Sequence, residues 1–155
     1  MRRRRSQPGF ALVELIVAFT IMTLLTAMAV PLARFRVRRE KERELRYSLR
    51  ELHTAIDKYK DACDKNVFQS KLGTECYPEN LDQLVEGVKI ASDASGKKIK
   101  FLRRIPRDPF MNSTDWGMRS TQDDPKTTGG GGQNVFAVFS KTMEKSADGT
   151  PYAEW

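Results

Sequence analysis

The stretch GFALVELIVAFTIMTLLTAMAVP, residues 9–31, is an apolar run that carries one ionisable side chain, Glu14. Residues 10–33 would span about 36 Å as a helix, and the hydrocarbon core of a bilayer is about 30 Å thick. The run therefore predicts one membrane-spanning helix. Because an ionised carboxylate in hydrocarbon costs roughly 3 kcal/mol, Glu14 indicates a function or a partner.

Length and composition limit what accompanies this helix. The chain has 155 residues, of which 39% are hydrophobic, and its mean hydropathy is negative, which predicts one span and one small head rather than a polytopic protein. The net charge of +7 includes four arginines in the leader, Arg2 to Arg5, and most other basic residues alternate with acids. No nucleic-acid-binding motif accompanies the charge, so no nucleic-acid partner is predicted.

A secretory signal peptide and a single-span signal anchor are two other types of apolar N-terminal segment. The apolar region of a secretory signal peptide is typically about 7 to 15 residues and ends at a small-residue cleavage site. Here the run is longer, is charged near its start and continues into Pro31 without such a site. A single-span signal anchor stays an alternative, although it leaves Glu14 unexplained.

The whole segment RRRRSQPGFALVELIVAFTIMTLLTAMAVP resembles the class III signal of type IV prepilins and type II secretion pseudopilins. The resemblance implies that a prepilin peptidase cuts between Gly9 and Phe10, removes the leader 1–9 and methylates the new amine of Phe10. The helix 10–33 is then retained for assembly. Glu14 would pair with the Phe10 amine of a neighbouring subunit, which offsets the desolvation of both charges. Pro31 would bend the helix as a flexible joint, or simply end the apolar segment.

Residues 34–63 are predicted to form an amphipathic helix that continues into the head. Six apolar positions recur at spacings of four and three on one helical stripe: Leu45, Leu49, Leu52, Ile56, Tyr59 and Cys63. A coiled-coil seam would need more heptads, so the stripe is expected to pack on the head's own sheet. His53 is expected on the surface of this helix.

Cys63 and Cys76 are the only cysteines. A disulfide between them is expected if the head lies outside the cytoplasm, where it would contribute roughly 3 kcal/mol. Zinc is disfavoured because the two cysteines and a single histidine do not complete a site.

Residues 64–155 are predicted to form the globular head. In CYPENLDQLVEG, Asn80 is expected to cap a short helix that runs through Val85 and ends at Gly87, and Lys100 to Arg104 read as an edge strand rather than as a contact patch for anions. With the turn around Pro106 and Pro109, these segments resemble the major pseudopilin of type II secretion. The fold class expected is α+β and type IV pilin-like, a long N-terminal helix packed on a small antiparallel sheet.

The C-terminal part is predicted to contain a loop, a strand, a turn and a second strand. QDDPKTTGGGGQN reads as a surface loop, NVFAVFSK as a strand, Asp148-Gly149 as a turn and Tyr152 to Trp155 as a closing strand. Major pseudopilins commonly bind calcium in this loop, which would use Asp148 here, with Glu154 and Asp123 or Asp124 as helpers. Calcium needs about six to eight oxygens, so a plain hairpin turn is favoured over a calcium site.

The sequence therefore predicts a structural subunit without catalytic activity or a required cofactor. The resemblance implies a bacterial inner-membrane protein with a periplasmic head that assembles into a helical homo-oligomeric filament of a type II secretion system. Its partners would be the prepilin peptidase, an inner-membrane platform, an assembly ATPase and minor pseudopilins. The alternatives are a pilin of a type IV pilus and, from another class, a signal-anchored periplasmic enzyme or binding module.

Overall fold

The computed structural model describes residues 8–93, 95–130 and 132–155, with the side chains of residues 8–10 and 29–32 left aside. The chain divides into two compact units, Met1–Glu40 and Lys41–Trp155. Helix α1, Pro8–Asp64, contributes to both. The fold is α+β and consistent with a pilin-like arrangement, because small antiparallel sheets follow this long N-terminal helix.

The second unit has the hydrophobic core. All six stripe residues of α1 are buried, which confirms the predicted amphipathic face. They pack with apolar side chains from the rest of the unit, which include Leu84, Leu102, Trp116, Val138 and Tyr152. Burial of this kind contributes roughly 1.5–3 kcal/mol for each large side chain, and it fixes α1 against the head.

A short helix, α2, covers Asp82–Glu86 and lies close to its predicted position. The Asn80 carboxamide oxygen accepts a hydrogen bond from the Gln83 backbone N–H at 2.9 Å, as expected of a residue at a helix start. Gly87 follows with φ +80°, and a Cβ there would lie 2.5 Å from the Ile99 carbonyl oxygen. Glycine is therefore required where α2 turns into the first strand.

The strands form two separate antiparallel pairs. Strand β1, Val88–Lys89, pairs with β2, Lys98–Ile99. Strand β3, Gly117–Arg119, pairs with β4, Ala137–Phe139, and β4 lies within the predicted strand NVFAVFSK.

Two strand predictions were wrong. Residues Lys100 to Arg104 leave the sheet, because the backbone N–H groups of Phe101 and Leu102 both donate to the Leu84 carbonyl at 3.0 Å. The C-terminal segment forms a 3-10 helix, η1, at Tyr152–Glu154. Residues three apart share a face in a 3-10 helix but not in a strand, which lets the rings of Tyr152 and Trp155 meet at 4.8 Å.

The predicted disulfide between Cys63 and Cys76 is present. It joins the end of α1 to the segment that leads into α2, and the two Cα atoms are 5.6 Å apart. Next to it, the rings of Tyr59, Phe68 and Phe101 contact one another.

Candidate assembly segment and the sites of the head

The apolar first part of α1 is long and apolar enough to cross a membrane. Every side chain from Ala11 to Met28 is exposed in the isolated chain, with Phe19 at 72% and Met22 at 70%. Exposing a helix that is apolar on all sides to water is energetically unfavourable. Lipid or other apolar helices must therefore surround it.

Three threonines in this segment form hydrogen bonds from their hydroxyl groups to backbone carbonyls of the same helix. The hydroxyl groups of Thr20 and Thr23 donate to the carbonyls of Ile16 and Phe19, one turn back, and Thr26 donates to the Met22 carbonyl at 2.8 Å. Such bonds let hydroxyl groups lie in hydrocarbon without an unsatisfied donor. Glu14 is thus the one charged side chain between Ala11 and Met28.

Glu14 is exposed between two apolar neighbours, Val13 and Leu15. Among the described residues, no hydrogen bond or ion pair involves its carboxylate. A partner from outside the chain would therefore find both carboxylate oxygens accessible.

The other predicted processing and assembly residues are described only in part. Residues 1–7 of the leader lie outside the described residues, as do the side chains of Phe10 and Pro31, and the backbone of Gly9, Phe10 and Pro31 is helical. The cleavage, the methylation and the flexible joint stay predictions. The helical assignment of α1 continues through Pro31.

In the head, His53 differs from its prediction. Its ring is half-buried rather than on the surface, and Nε2 accepts a hydrogen bond from the Val138 backbone N–H at 3.4 Å. Burial lowers the pKa of His53 below its usual 6.5, while the Asp57 carboxylate opposes this effect. His53 therefore acts as a neutral acceptor between α1 and β4.

The residues proposed for calcium do not come together. Asp148 is exposed and accepts from the Thr150 backbone N–H at 3.2 Å, a bond that holds the pKa of Asp148 below its usual value. Asp123 accepts from the Ser120 N–H and Asp124 from the Lys126 N–H, while Glu154 lies in η1. No cluster of three or more acidic, histidine or cysteine side chains occurs in the described parts of the chain, and the calcium site stays a prediction.

An arginine contacts both the loop that holds Asp123 and Asp124 and the 3-10 helix that holds Glu154. Arg119 Nε donates to the Thr127 carbonyl at 2.8 Å and Nη2 to the Ala153 carbonyl at 3.0 Å, and its guanidinium stacks 4.0 Å from the centre of the Phe139 ring. No sequence pattern indicates this contact, because its partners are backbone carbonyls eight and 34 residues further along the chain.

Two contacts of the C-terminal segment with α1 were also not predicted. The Tyr152 hydroxyl donates to Glu42 Oε1 at 2.7 Å, and the guanidinium of Arg46 lies 4.1 Å from the centre of the Trp155 ring. Alternating charge along residues 38–44 had indicated only a solvated face. These contacts give η1 a fixed place on the helix.

Comparison with known proteins supports the N-terminal interpretation. Residues 4–30 match the family model described as the prokaryotic N-terminal methylation motif. The match supports a type IV prepilin-like protein, and the motif implies processing by a prepilin peptidase and filament assembly in general. No curated protein and no solved structure matches the chain.

Proposed function

We propose that this chain is a structural subunit that polymerises through the first part of α1 into a periplasmic filament of a type II secretion system. The filament would assist the export of folded proteins across the outer membrane. The observation that carries the proposal is the fully exposed apolar surface of residues 11–28, interrupted only by the Glu14 carboxylate and preceded by a methylation motif.

Glu14 would fix the axial register in which the helices of neighbouring subunits pack. Cleavage after Gly9 would create a positively charged amine on Phe10, four residues before Glu14. When helices of different subunits pack together, that amine and the Glu14 carboxylate of a neighbour can form an ion pair in an apolar surrounding. Breaking such a pair leaves one buried charge uncompensated, so a shifted register is strongly disfavoured.

The choice of secretion over a pilus is supported by the head. Helix α2 and the turn around Pro109 lie in segments that resemble the major pseudopilin. In that turn the Asp108 carboxylate is buried and accepts from the Phe110 and Met111 N–H groups at 2.7 and 3.2 Å. A cytoplasmic ATPase and an inner-membrane platform would drive assembly, with minor pseudopilins as further partners.

Catalysis is not part of the proposed function. A groove of about 610 Å³ along α1 is lined by His53 and Asp57, which are an acid and a base four residues apart. The Nε2 atom of His53 already accepts the bond from Val138, so it is not directed at a substrate.

The first experiment determines the mature N-terminus by intact-mass and peptide analysis of protein purified from its native membrane. We expect a chain that begins at N-methylated Phe10. An intact leader, or a terminus beyond Ala33, would contradict prepilin-type processing and favour an anchored or exported protein.

The second experiment tests Glu14 in assembly. Glu14→Ala should leave processing normal and reduce crosslinked filaments at least tenfold, because the Phe10 amine of the neighbour loses its counter-charge. Glu14→Asp is the matched control: it keeps the charge on a shorter side chain and should retain part of the assembly. Wild-type filament yield from Glu14→Ala would refute the assembly role, and filaments that depend solely on a dedicated pilus motor would overturn the secretion assignment.

A further inference from the structure

Four arginines follow the apolar segment directly: Arg34, Arg36, Arg38 and Arg39, here called the arginine collar. Positive residues usually flank a membrane span on its cytoplasmic side, and the leader with Arg2 to Arg5 already occupies that flank. A second basic cluster on the opposite flank requires a reason of its own.

The collar side chains are available for a ligand. Arg34, Arg36 and Arg39 are exposed, and within the described residues none of them forms a hydrogen bond or an ion pair. Arg38 is half-buried and has a partner within the chain. Two apolar side chains between the arginines, Phe35 and Val37, are also exposed.

The collar extends over more than half of the circumference of the helix instead of marking one narrow face. Successive residues of an α-helix are rotated by about 100°, so Arg36 and Arg39 lie about 200° and 140° around the axis from Arg34. A protein partner on one side would contact only part of this set. A layer of lipid headgroups contacts all of it, because lipid surrounds a single span on every side.

The spacing along the helix also matches a bilayer. Residues 34–39 rise by about 8 Å, close to the headgroup layer of about 5–7 Å on each side of the hydrocarbon. Glu14 lies twenty residues before Arg34, a rise of about 30 Å, which equals the hydrocarbon thickness. With the collar among the headgroups of one face, the Glu14 carboxylate reaches the boundary of the other face, where a charge is inexpensive.

We propose that the arginine collar binds the phosphates of anionic phospholipids at the face of the membrane opposite the leader, and thereby sets the depth at which the helix and Glu14 lie. Guanidinium groups form paired, charge-assisted hydrogen bonds with phosphate oxygens, and Phe35 places its ring at the level of the interface. The collar holds the subunit in the membrane before assembly. This inference rests on the membrane-spanning helix and not on the filament, so it is tested in bilayers that contain no other protein.

The test measures which lipid lies beside the collar. The full chain with Phe35→Trp is reconstituted in equimolar phosphatidylglycerol and phosphatidylcholine, and either one or the other lipid carries bromine atoms that quench tryptophan fluorescence. The same chain with Phe35 retained supplies the background from Trp116 and Trp155. We expect phosphatidylglycerol to be favoured by about fivefold beside the introduced tryptophan, and the preference to disappear in about 1 M salt, where the Debye length is about 3 Å.

A second variant adds three substitutions to the reporter chain: Arg34→Gln, Arg36→Gln and Arg39→Gln. These substitutions should abolish the preference for phosphatidylglycerol. They should also change the depth of the reporter in the bilayer, as measured with bromine at different acyl positions. The charge-retaining triple Arg→Lys variant should keep most of the preference. The matched control removes the same charge from three exposed head residues, with Lys97→Gln, Lys98→Gln and Lys100→Gln. It should leave both the lipid preference and the depth of the reporter unchanged. Equal quenching by the two lipids beside the reporter, or a preference that survives the glutamine variant or high salt, overturns the proposal whatever the outcome for filament assembly.

Discussion

His53 on helix α1 is a half-buried acceptor whose surroundings favour the neutral ring. Protonation would replace the lone pair that accepts the Val138 N–H with a second donor, and it would place a charge in a partly desolvated site. The pKa of His53 is lowered in the folded head, so the unfolded chain binds this proton more tightly. Stability contributed by the neutral ring is therefore present above about pH 6.5 and is lost as the pH falls below that value.

This imbalance predicts a pH-dependent stability. Urea unfolding of the full chain in mild detergent, followed by the fluorescence of buried Trp116, should give a free energy of unfolding that decreases between about pH 7 and pH 5. His53→Gln keeps an acceptor without titrating in this range, and it should flatten that part of the profile. An equally steep decrease in the glutamine variant would assign the effect to other groups.

At the scale of single elements, Arg119 holds the C-terminal segment by direct hydrogen bonds. Its guanidinium occupies the carbonyls of Thr127 and Ala153, and the Asp148 carboxylate is exposed and bonded to its own turn. Planar guanidinium can join two carbonyls at once, which lysine cannot do with the same geometry. These two bonds connect the loop and η1 directly.

A stability measurement with and without calcium tests this arrangement. We expect neither millimolar calcium nor a chelator to shift the urea midpoint of the head, whereas Arg119→Lys should lower the free energy of unfolding by about 1–3 kcal/mol. A site that calcium fills to 100 times its dissociation constant would stabilise the fold by about 2.7 kcal/mol. Stabilisation of that size by calcium would contradict the expectation that calcium does not stabilise the head.

The elements differ in how well their sequences predict them, and the difference is physical. Burial of Leu45, Leu49 and Leu52 could be predicted because a helical repeat is a local property of the sequence. Tyr152 to Trp155 resembled a strand, but η1 is set by long-range contacts of Tyr152 with Glu42 and Phe110, and such contacts leave no local pattern. The same reason explains why Arg119 and the inward position of His53 were missed, since their partners are backbone groups distant in sequence.

At the scale of the whole molecule, the two units differ in where their apolar side chains lie. The buried apolar side chains found in the described residues all lie between Leu45 and Tyr152, within the second unit. The described apolar side chains before Lys41 are exposed, and they suit lipid or neighbouring helices. In the proposed function, the first unit would move from a bilayer into an assembly while the head stays folded.

This division predicts that the second unit folds without the first. A chain that begins at Lys41 should be soluble, retain the disulfide between Cys63 and Cys76, and unfold in urea with a free energy within about 1 kcal/mol of the full chain in detergent, because no core residue is removed. The matched control begins at Arg50, which deletes Leu45 and Leu49 together with the Glu42 and Arg46 contacts to η1. Losing two buried leucines should cost several kcal/mol, so this shorter chain should show Trp116 exposed to solvent or unfold at a much lower urea concentration. If the chain that begins at Lys41 behaved in the same way, residues before Lys41 would have to support the head, and the separation of the two units would be wrong.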